Sequence, residues 1–460
     1  MTTTTIVCLI IFAITYILIF ALEKYRPYVA LISAAIFVIL GMINILPGYS
    51  YSIADAVSEI DWNVLMMIAG TMGTVQLFID SGMPQLMSDI LISKLPSVKW
   101  MIVVMSLFAG IISAFVDNVA TVLMIAPVAL AICKKLDISP VPTIICISIS
   151  SNLQGAATLV GDTTSILLAK AANLDFMDFF FCEGKLGMFW VTEAGALASA
   201  IIIYFMFRKE NAKISINDRT KVEDKVPTVL LLLTVVCLIA TSFIPYKDAA
   251  AEGQFYKPDI SNGLICMFFF AVGLIRQSIK DKNTDVAKNS IRELDYYTIG
   301  LLGGLFIVIG AIKKAGIIDL LADGIFNLCG GSNVTKASMF IGYTIIVWAS
   351  VLISAFIDNI PYVATMLPVV AVLTERFMQS DVFPFSKYVL YFGLLVGATL
   401  GGNFTPVGAS ANIAGIGILR KEGHEVKAST FMKYSVPFTL TAVMTGYILA
   451  WIIYMPGFFK

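Results

Sequence analysis

The chain has 460 residues, of which 31 are basic and 31 acidic, so its formal net charge is zero. Only 13% of the residues are charged, against about 25% in a typical soluble domain, and 58% are hydrophobic. So few polar residues cannot cover the surface of a water-soluble protein of this length. The composition therefore predicts an integral membrane protein. The neutral balance also removes the usual argument for nucleic-acid binding, which requires a basic patch or stripe, so no nucleic-acid partner is expected.

Apolar stretches long enough to cross a bilayer recur along the whole chain, since a bilayer core of about 30 Å needs about 20 apolar residues in a helix. Complete candidates are 5–22, 28–46, 62–79, 186–207, 226–244, 260–276, 296–312 and 436–455. Two further regions, 100–133 and 338–375, carry Asp-Asn pairs at their centres, and two more, 141–172 and 386–418, are interrupted by Gly, Asn, Thr and Pro. We expect an all-α polytopic membrane protein with about ten full crossings plus two re-entrant hairpins.

The Lys and Arg residues are distributed unevenly among the predicted loops, and loops rich in them stay on the cytoplasmic side. We place the N-terminus outside, with the first hairpin opening inward and the second outward. Most of the basic residues then lie inside, in the loops 23–27, 80–99, 134–135, 208–225, 276–292 and 419–433. The chain is expected to lie in the cell membrane in this orientation.

Three blocks of sequence recur in the same order in the two halves of the chain. Residues 111–128 match 352–369, residues 59–62 match 293–296, and residues 158–166 match 405–413. In the predicted orientation the spans 62–79 and 296–312 begin on opposite sides of the membrane, so the two halves have opposite topology. Inverted repeats with discontinuous helices near mid-membrane are a recurring architecture of secondary transporters.

The repeat divides the chain into three predicted parts. They are a first inverted repeat over 1–207, a cytoplasmic linker over 208–225 and a second inverted repeat over 226–460. The first repeat contains the hairpin 100–133 and the discontinuous helix 141–172, and the second contains the hairpin 338–375 and the discontinuous helix 386–418. For any single interrupted segment, a kinked structural helix is the alternative.

Three acidic residues lie within predicted membrane segments, where an ionised side chain costs about 2.5–3.5 kcal/mol and therefore indicates function. Asp117-Asn118 and Asp358-Asn359 occupy the two hairpin tips, and Asp162 lies in the first discontinuous helix. Carboxylate, amide and backbone oxygens suit a hard cation or a proton. These five residues form a candidate sodium site. The alternative is that the Asp and Asn residues only cap the half-helices.

The discontinuous helices add hydroxyl, amide and glycine residues at corresponding positions. Hydroxyls and amides can replace the water around an ion, whereas the same small residues also hold packed transmembrane helices together. The predicted substrate- and ion-binding residues are Ser151, Asn152, Thr158, Gly161, Thr163 and Thr164 from the first half and Asn403, Thr405, Gly408, Ser410 and Asn412 from the second.

These motifs resemble those of a known group of transporters. The segments 356–369 (FIDNIPYVATMLPV) and 397–418 (GATLGGNFTPVGASANIAGIGI) are especially similar to the P protein. The segment 151–169 (SNLQGAATLVGDTTSILLA) resembles both that protein and the D-type sodium/proton antiporters. The chain thus resembles the citrate transporter-like domain of the ion transporter superfamily, nearest the group of arsenical pump membrane proteins, the P protein and these antiporters.

The resemblance implies a homodimer in the lipid bilayer, with a static scaffold and a transport domain that moves like an elevator. It also implies that the hairpin tips and the interrupted helices hold the substrate and the coupling ions. The matching tip positions read Ser-Asn-Thr in the dicarboxylate and citrate members. Here they read Asp-Asn-Val at 117–119 and Asp-Asn-Ile at 358–360, and the two additional negative charges would oppose a citrate.

The predicted function is ion-coupled secondary active transport, without enzymatic activity or a cofactor. A sodium or proton gradient would supply the energy, because the sequence shows no nucleotide-binding motif. We favour a small inorganic ion as the substrate, through sodium/proton antiport or export of an arsenite-type anion. A sodium- or proton-coupled citrate or dicarboxylate transporter is the alternative.

Two other classes of protein are compatible with acidic residues inside a membrane. An intramembrane protease could use paired Asp residues as an acid/base dyad. The sequence argues against it, because Asp162 follows Leu-Val-Gly and not the Gly-x-Gly that would be expected before the aspartate of such a protease. A channel is compatible with the two hairpins and would conduct without a second, driving ion.

Overall fold

The computed structural model describes residues 2–455 except 215–219, 223, 248–253, 283–284, 332–333 and 380–384. This part of the chain is mostly helical and contains twenty α-helices. One short antiparallel hairpin pairs Phe181–Cys182 with Lys185–Leu186. The predicted all-α polytopic architecture is therefore confirmed.

The first half contributes ten of these helices. They are α1 Thr3–Ala21, α2 Arg26–Ile43, α3 Ile53–Glu59, α4 Trp62–Asp80, α5 Met83–Ile92, α6 Val98–Ser113, α7 Asn118–Lys135, α8 Val141–Gly155, α9 Thr163–Ala172 and α10 Met188–Met206. The first predicted hairpin corresponds to α6 and α7, and the first discontinuous helix corresponds to α8 and α9.

The second half contributes the other ten. They are α11 Val226–Thr241, α12 Ser261–Asp281, α13 Asp285–Arg292, α14 Tyr296–Lys314, α15 Ile317–Leu328, α16 Lys336–Ser354, α17 Asn359–Met378, α18 Tyr388–Leu395, α19 Ser410–Lys421 and α20 Ala428–Tyr454. Helix α18 continues through a π-helical turn, Val396–Leu400, and a 3₁₀ turn, Gly402–Phe404. The second hairpin is α16 and α17, and the second discontinuous helix is α18 and α19.

Ten of the helices in the described part are long and apolar enough to cross a membrane. Large apolar side chains such as Ile17, Ile32 and Phe268 are more than half exposed on these helices. A water-soluble protein does not expose apolar surface on this scale, whereas lipid solvates it. The chain is a multi-pass integral membrane protein.

The helices of the two halves follow one another in the same order and pack reciprocally. Helix α4 of the first half lies along α12 of the second, and α14 of the second half lies along α2 of the first. The opposed orientation of the halves, the re-entry of the hairpins and the boundaries of the repeats stay predictions. Part of the predicted linker 208–225 lies outside the described residues.

Repeat-related glycines allow these two helix pairs to approach closely. A Cβ atom on Gly70 of α4 would lie 2.4 Å from the backbone of Cys266 in α12. A Cβ atom on Gly304 of α14 would lie 2.8 Å from the backbone of Ala30 in α2. Small residues at helix contacts are a principal means of packing transmembrane helices, because lipid supplies no hydrophobic force between them.

Candidate functional site

Each hairpin tip ends in an aspartate that caps the following helix. The Oδ1 atom of Asp117 accepts hydrogen bonds from the backbone N–H groups of Val119 and Ala120, both at 3.0 Å. The equivalent oxygen of Asp358 accepts one from the N–H of Ile360 at 3.2 Å. A carboxylate in this position satisfies donors that the helix leaves unpaired and interacts favourably with the helix dipole. Capping is therefore part of the function of both residues.

Capping leaves Asp117 with a free oxygen. Its Oδ2 atom makes no hydrogen bond or ion pair with any residue in the described part of the chain. The Asp117 side chain is half-buried and lines a cavity between the hairpin tips. Capping and ion binding are thus compatible at this residue, because different oxygens serve them.

The break in each discontinuous helix packs against the hairpin tip of its own half. The Thr158 hydroxyl donates to the carbonyl oxygen of Ala114, and the Thr405 hydroxyl donates to that of Ala355. These are the same contact in the two halves. The backbone of each break is thereby held against the bend that precedes Asp117 or Asp358.

Two glycines complete these contacts. A Cβ atom on Gly161 would lie 2.7 Å from the carbonyl oxygen of Ser113, and one on Gly408 would lie 2.6 Å from that of Ser354. No side chain larger than hydrogen fits unless the backbone moves. Gly161 and Gly408, like Thr158 and Thr405, are not among the residues that line the cavity. Their observed contribution is to position the tips.

An amide network joins the two halves beneath the first tip. The Asn118 amide donates to Asn152 Oδ1 at 3.0 Å, and the Ser151 hydroxyl donates to the Asn118 carbonyl at 2.8 Å. The Asn152 amide in turn donates to Asn403 Oδ1 at 3.1 Å and to the Thr399 carbonyl at 2.8 Å. All of these side chains are buried. A satisfied buried network of this kind makes the local geometry rigid.

Asp162 links the first discontinuous helix to the second hairpin tip. Its Oδ2 atom accepts hydrogen bonds from the Thr164 hydroxyl at 2.7 Å and from the Asn359 amide at 3.2 Å. Thr164 also contacts the hydroxyl of Thr399 at 2.9 Å. Asp162 is only 3% exposed and, like Asp117, lines the cavity. Two carboxylates of the first half therefore face the same space.

The second tip has a basic partner. Arg26 of α2 places Nη1 3.1 Å from Asp358 Oδ2, and the Ser410 hydroxyl donates to the same oxygen at 2.9 Å. Arg26 is 4% exposed and Asp358 is 6% exposed, so the ion pair is buried. Asp358 is not among the residues that line the cavity.

The cavity between the tips has a volume of about 400 Å³. Four carboxylate side chains line it, and its lining contains no Lys, Arg or His among the described residues. The polar side chains that line it are Gln76, Asp117, Asn118, Asp162, Thr163, Ser290, Glu293, Asp295, Thr298, Asn359 and Ser410. In the predicted orientation this wall of the cavity lies toward the inside, because Ser290 belongs to α13 and Glu293 to Asp295 connect α13 to the start of α14. The arrangement suits a cation or a proton.

The structure brings most of the sequence-predicted site residues together and gives them different positions. Asp117, Asn118, Asp162, Thr163, Asn359 and Ser410 line the cavity, while Ser151, Asn152, Thr164 and Asn403 form the network beneath it. Asn412 lies farther away and donates to the backbone carbonyl of Thr405 at 3.3 Å. Within the described residues no group of three or more His, Cys, Asp or Glu side chains could hold a metal ion. A sodium ion would therefore also need amide, hydroxyl or backbone oxygens.

Sequence reasoning missed three charged residues of this region. Arg26 belongs to the predicted loop 23–27, and nothing in its sequence neighbours indicates burial. Glu293 and Asp295 belong to the repeated block 293–296, whose match to 59–62 indicates the repeat but not a binding site. Asp295 caps α14 by accepting from the Thr298 N–H at 2.9 Å. The sequence does contain one signal for this cavity wall, since Glu293 and Asp295 are acidic residues just before the start of the predicted span 296–312.

Together, the many apolar spans and the polar cavity enclosed by two capped hairpins and two broken helices are typical of a membrane transporter. Comparison with protein families specifies the class further. Residues 9–397 match the family model described as Citrate transporter. The chain belongs to this family and is a secondary transporter.

Similar proteins support this assignment. The chain is 28% identical to the 46 kDa membrane protein of Mycobacterium leprae, covering 98% of this chain and 99% of that protein. It is 24% identical to the P protein of Sus scrofa, covering 95% of this chain and 58% of that protein, which confirms the resemblance seen in the motifs. Among solved structures, MtrF of Neisseria gonorrhoeae matches with a TM-score of 0.57 and 14% identity, covering 94% of this chain and 97% of that one. This last similarity concerns the fold alone.

Proposed function

We propose that this transporter binds a sodium ion or a proton at Asp117 and Asp162 and couples its movement to that of a second small inorganic ion, with sodium/proton antiport as the favoured reaction. The observation that carries the proposal is the acidic cavity between the hairpin tips. Each carboxylate on its wall attracts a cation with about 4 kcal/mol at 4 Å in an effective dielectric of about 20. No basic side chain of the described lining offsets this attraction.

The geometry suggests which atoms would hold the cation. Asp117 Oδ2 is free of hydrogen bonds within the described residues, and Asp162 uses Oδ2 for its contacts with Thr164 and Asn359. Asp117 thus offers one oxygen that has no partner in the described part of the chain, and Asp162 faces the same cavity. The Thr163 hydroxyl also lines the cavity. Oxygen ligands of this kind suit a hard cation, and either carboxylate could instead carry a proton.

The same electrostatics weigh against citrate as the substrate. Citrate is a polyanion at neutral pH, and the cavity wall carries Asp117, Asp162, Glu293 and Asp295. Bringing like charges together in a region of low dielectric costs several kcal/mol per pair. The family description nevertheless makes sodium- or proton-coupled citrate or dicarboxylate transport the second candidate, and an arsenite-type anion is the third substrate to compare.

We further propose alternating access by an elevator motion in a homodimer. In support, the helices form two groups by packing. Helices α2, α4, α12 and α14 pack in two close pairs. Helices α6, α7, α8 and α10 pack on one another and on α19 and α20, while α9 packs on α17 and α18. The hairpin tips and broken helices belong to the second group, and α2 and α4 border it. A division into scaffold and transport domain along this border would move Asp117, Asp162 and the amide network together past the cavity wall that α4 and α14 contribute, and the Arg26–Asp358 ion pair would break and re-form in each cycle.

The test is flux in proteoliposomes that contain the purified protein. Uptake of ²²Na⁺ is measured with and without an imposed proton gradient, and labelled arsenite and citrate are measured in parallel. We expect sodium flux that depends on the opposing proton gradient and is absent from protein-free liposomes. A citrate signal without sodium or proton coupling would overturn the proposal. Flux that follows the membrane voltage alone would indicate a channel.

A further inference from the structure

The two hairpin tips correspond residue by residue but differ in charge. Asp117 of the first tip corresponds to Asp358 of the second in the repeat. A third carboxylate, Asp162, lies between the two tips: it lines the cavity with Asp117 and accepts a hydrogen bond from Asn359 of the second tip, whereas the repeat places Ala409 at the corresponding position of the second half. Conversely, only Asp358 is in contact with a basic side chain of the described residues, Arg26. Among the described residues, the charge of Asp358 is therefore balanced by a basic side chain, whereas the charges of Asp117 and Asp162 are not.

Arg26 is held in place from three directions. Its Nη1 atom contacts Asp358, its Nε donates to the carbonyl of Ile19 at 3.1 Å, and its Nη2 lies 3.4 Å from Glu23, which is half exposed. An arginine remains charged at every physiological pH. A buried guanidinium needs a buried anion as partner, because an unpaired charge in a low-dielectric interior is very costly. Asp358 is the buried anion that meets this need.

Asp358 is also separated from the ion cavity, although its neighbours reach it. Asn359 and Ile360 line the cavity, and so does Ser410, whose hydroxyl donates to Asp358. Asp358 itself is absent from the lining, and its Oδ2 atom is occupied by both Arg26 and Ser410. A cation that bound there would have to displace the guanidinium and leave it buried without a partner.

Building on the proposed function, we propose that Arg26 is a built-in counter-ion that takes the place of a cation at the second tip. The chain then has one cation site, at Asp117 and Asp162, and not two sites related by the repeat. Asp358 is a positioning residue: it holds the second tip and pairs with Arg26. The number of coupling cations per transport cycle is set by this one residue on α2.

The sharpest test is a double variant. Arg26→Gln and Asp358→Asn are made singly and together, and ²²Na⁺ flux is measured in proteoliposomes. Asp358→Asn alone leaves Arg26 without its anion, so we expect flux to fall at least tenfold. The double variant has neither charge, and we expect it to recover most of the wild-type flux. If Asp358 were a cation ligand, the double variant would be as inactive as Asp358→Asn, and that result would overturn the proposal.

The sodium dependence of flux gives a second reading. A Hill coefficient cannot exceed the number of interacting sites, and we expect about one for the wild type. In Arg26→Gln the free carboxylate of Asp358 is open to a second sodium ion, so we expect the Hill coefficient to rise toward about two. Because two cooperating protomers could also raise the coefficient, Asp358→Asn is measured beside the wild type: a wild-type coefficient near two that falls toward one in Asp358→Asn would show that both tips bind sodium and would overturn the proposal.

Thermal unfolding in detergent separates this proposal from the proposed function. Each single variant should lower Tm, because it leaves one buried charge unpaired, and the double variant should recover most of the loss. Lys134→Gln, which breaks an exposed ion pair with Glu422, is the control and should leave Tm nearly unchanged. Absence of cation-dependent flux in the wild type would reject the proposed function, whereas a double variant no more stable than the singles would reject the pairing of Arg26 with Asp358.

Discussion

Asp117→Asn removes one negative charge from the cavity and changes almost nothing else. The amide oxygen of asparagine can still accept hydrogen bonds from the N–H groups of Val119 and Ala120, which Asp117 accepts at 3.0 Å. Asparagine is also as good a helix cap as aspartate. The fold and the position of the tip should therefore persist, so that a change in transport reports the charge of this side chain.

The size of the effect follows from the charge. A carboxylate 4 Å from a monovalent cation contributes about 4 kcal/mol in an effective dielectric of about 20. A tenfold change in affinity corresponds to about 1.4 kcal/mol, so the loss of Asp117 should weaken sodium binding by about a hundredfold to a thousandfold. The assay is the sodium concentration that gives half-maximal ²²Na⁺ flux in proteoliposomes.

Asp319→Asn is the matched control, because Asp319 is an exposed carboxylate on α15 outside the cavity. It should change the half-maximal sodium concentration by less than about twofold, given that exposed charges act weakly on distant sites. Both variants should elute as wild type in size-exclusion chromatography. If folded Asp117→Asn keeps the wild-type sodium affinity, the Asp117 carboxylate does not bind the cation and the reasoning is refuted.

Two predictions concern the residues that hold the site together. Gly161→Ala adds a Cβ atom within 2.9 Å of three backbone carbonyl oxygens, so it should destabilise the protein by about 1–3 kcal/mol and lower Tm. The control is Gly417→Ala, whose Cβ atom meets nothing within 4 Å and should leave Tm unchanged. Equal Tm values for the two variants would contradict this prediction. Asn152→Ala leaves the Asn403 amide oxygen and other buried polar groups without a hydrogen-bond partner. Each such unsatisfied group lowers the free energy of unfolding by about 1–3 kcal/mol. Asn152→Ala should therefore lower both Tm and flux, and Ser93→Ala at an exposed position is the control. An unchanged Tm in Asn152→Ala would show that the network is not needed for stability.

Much of the fold is determined by local sequence, because the bilayer imposes the same demand on every segment. A helix that crosses needs about 20 apolar residues, and this pattern can be read without knowing what the helix packs against. The same holds for capping: Asp117 and Asp358 each precede the helix that they cap. The repeat also aligns Gly70 with Gly304, and the structure places both at close helix contacts.

The site was less predictable, because its contacts join segments far apart in the chain. Arg26 is separated from Asp358 by 332 residues, Asn152 from Asn403 by 251, and Asp162 from Asn359 by 197. The sequence shows that these residues are polar and lie in apolar surroundings, but it does not show which of them meet.

Composition, hydropathy and the internal repeat thus determined by themselves that this chain is a polytopic membrane protein with two capped hairpins and two broken helices. Only the tertiary structure decided that Asp117 and Asp162 face one cavity while Asp358 is paired with Arg26. The physical reason is that hydropathy and capping act within one segment, whereas the charge balance of a buried site depends on every segment that surrounds it.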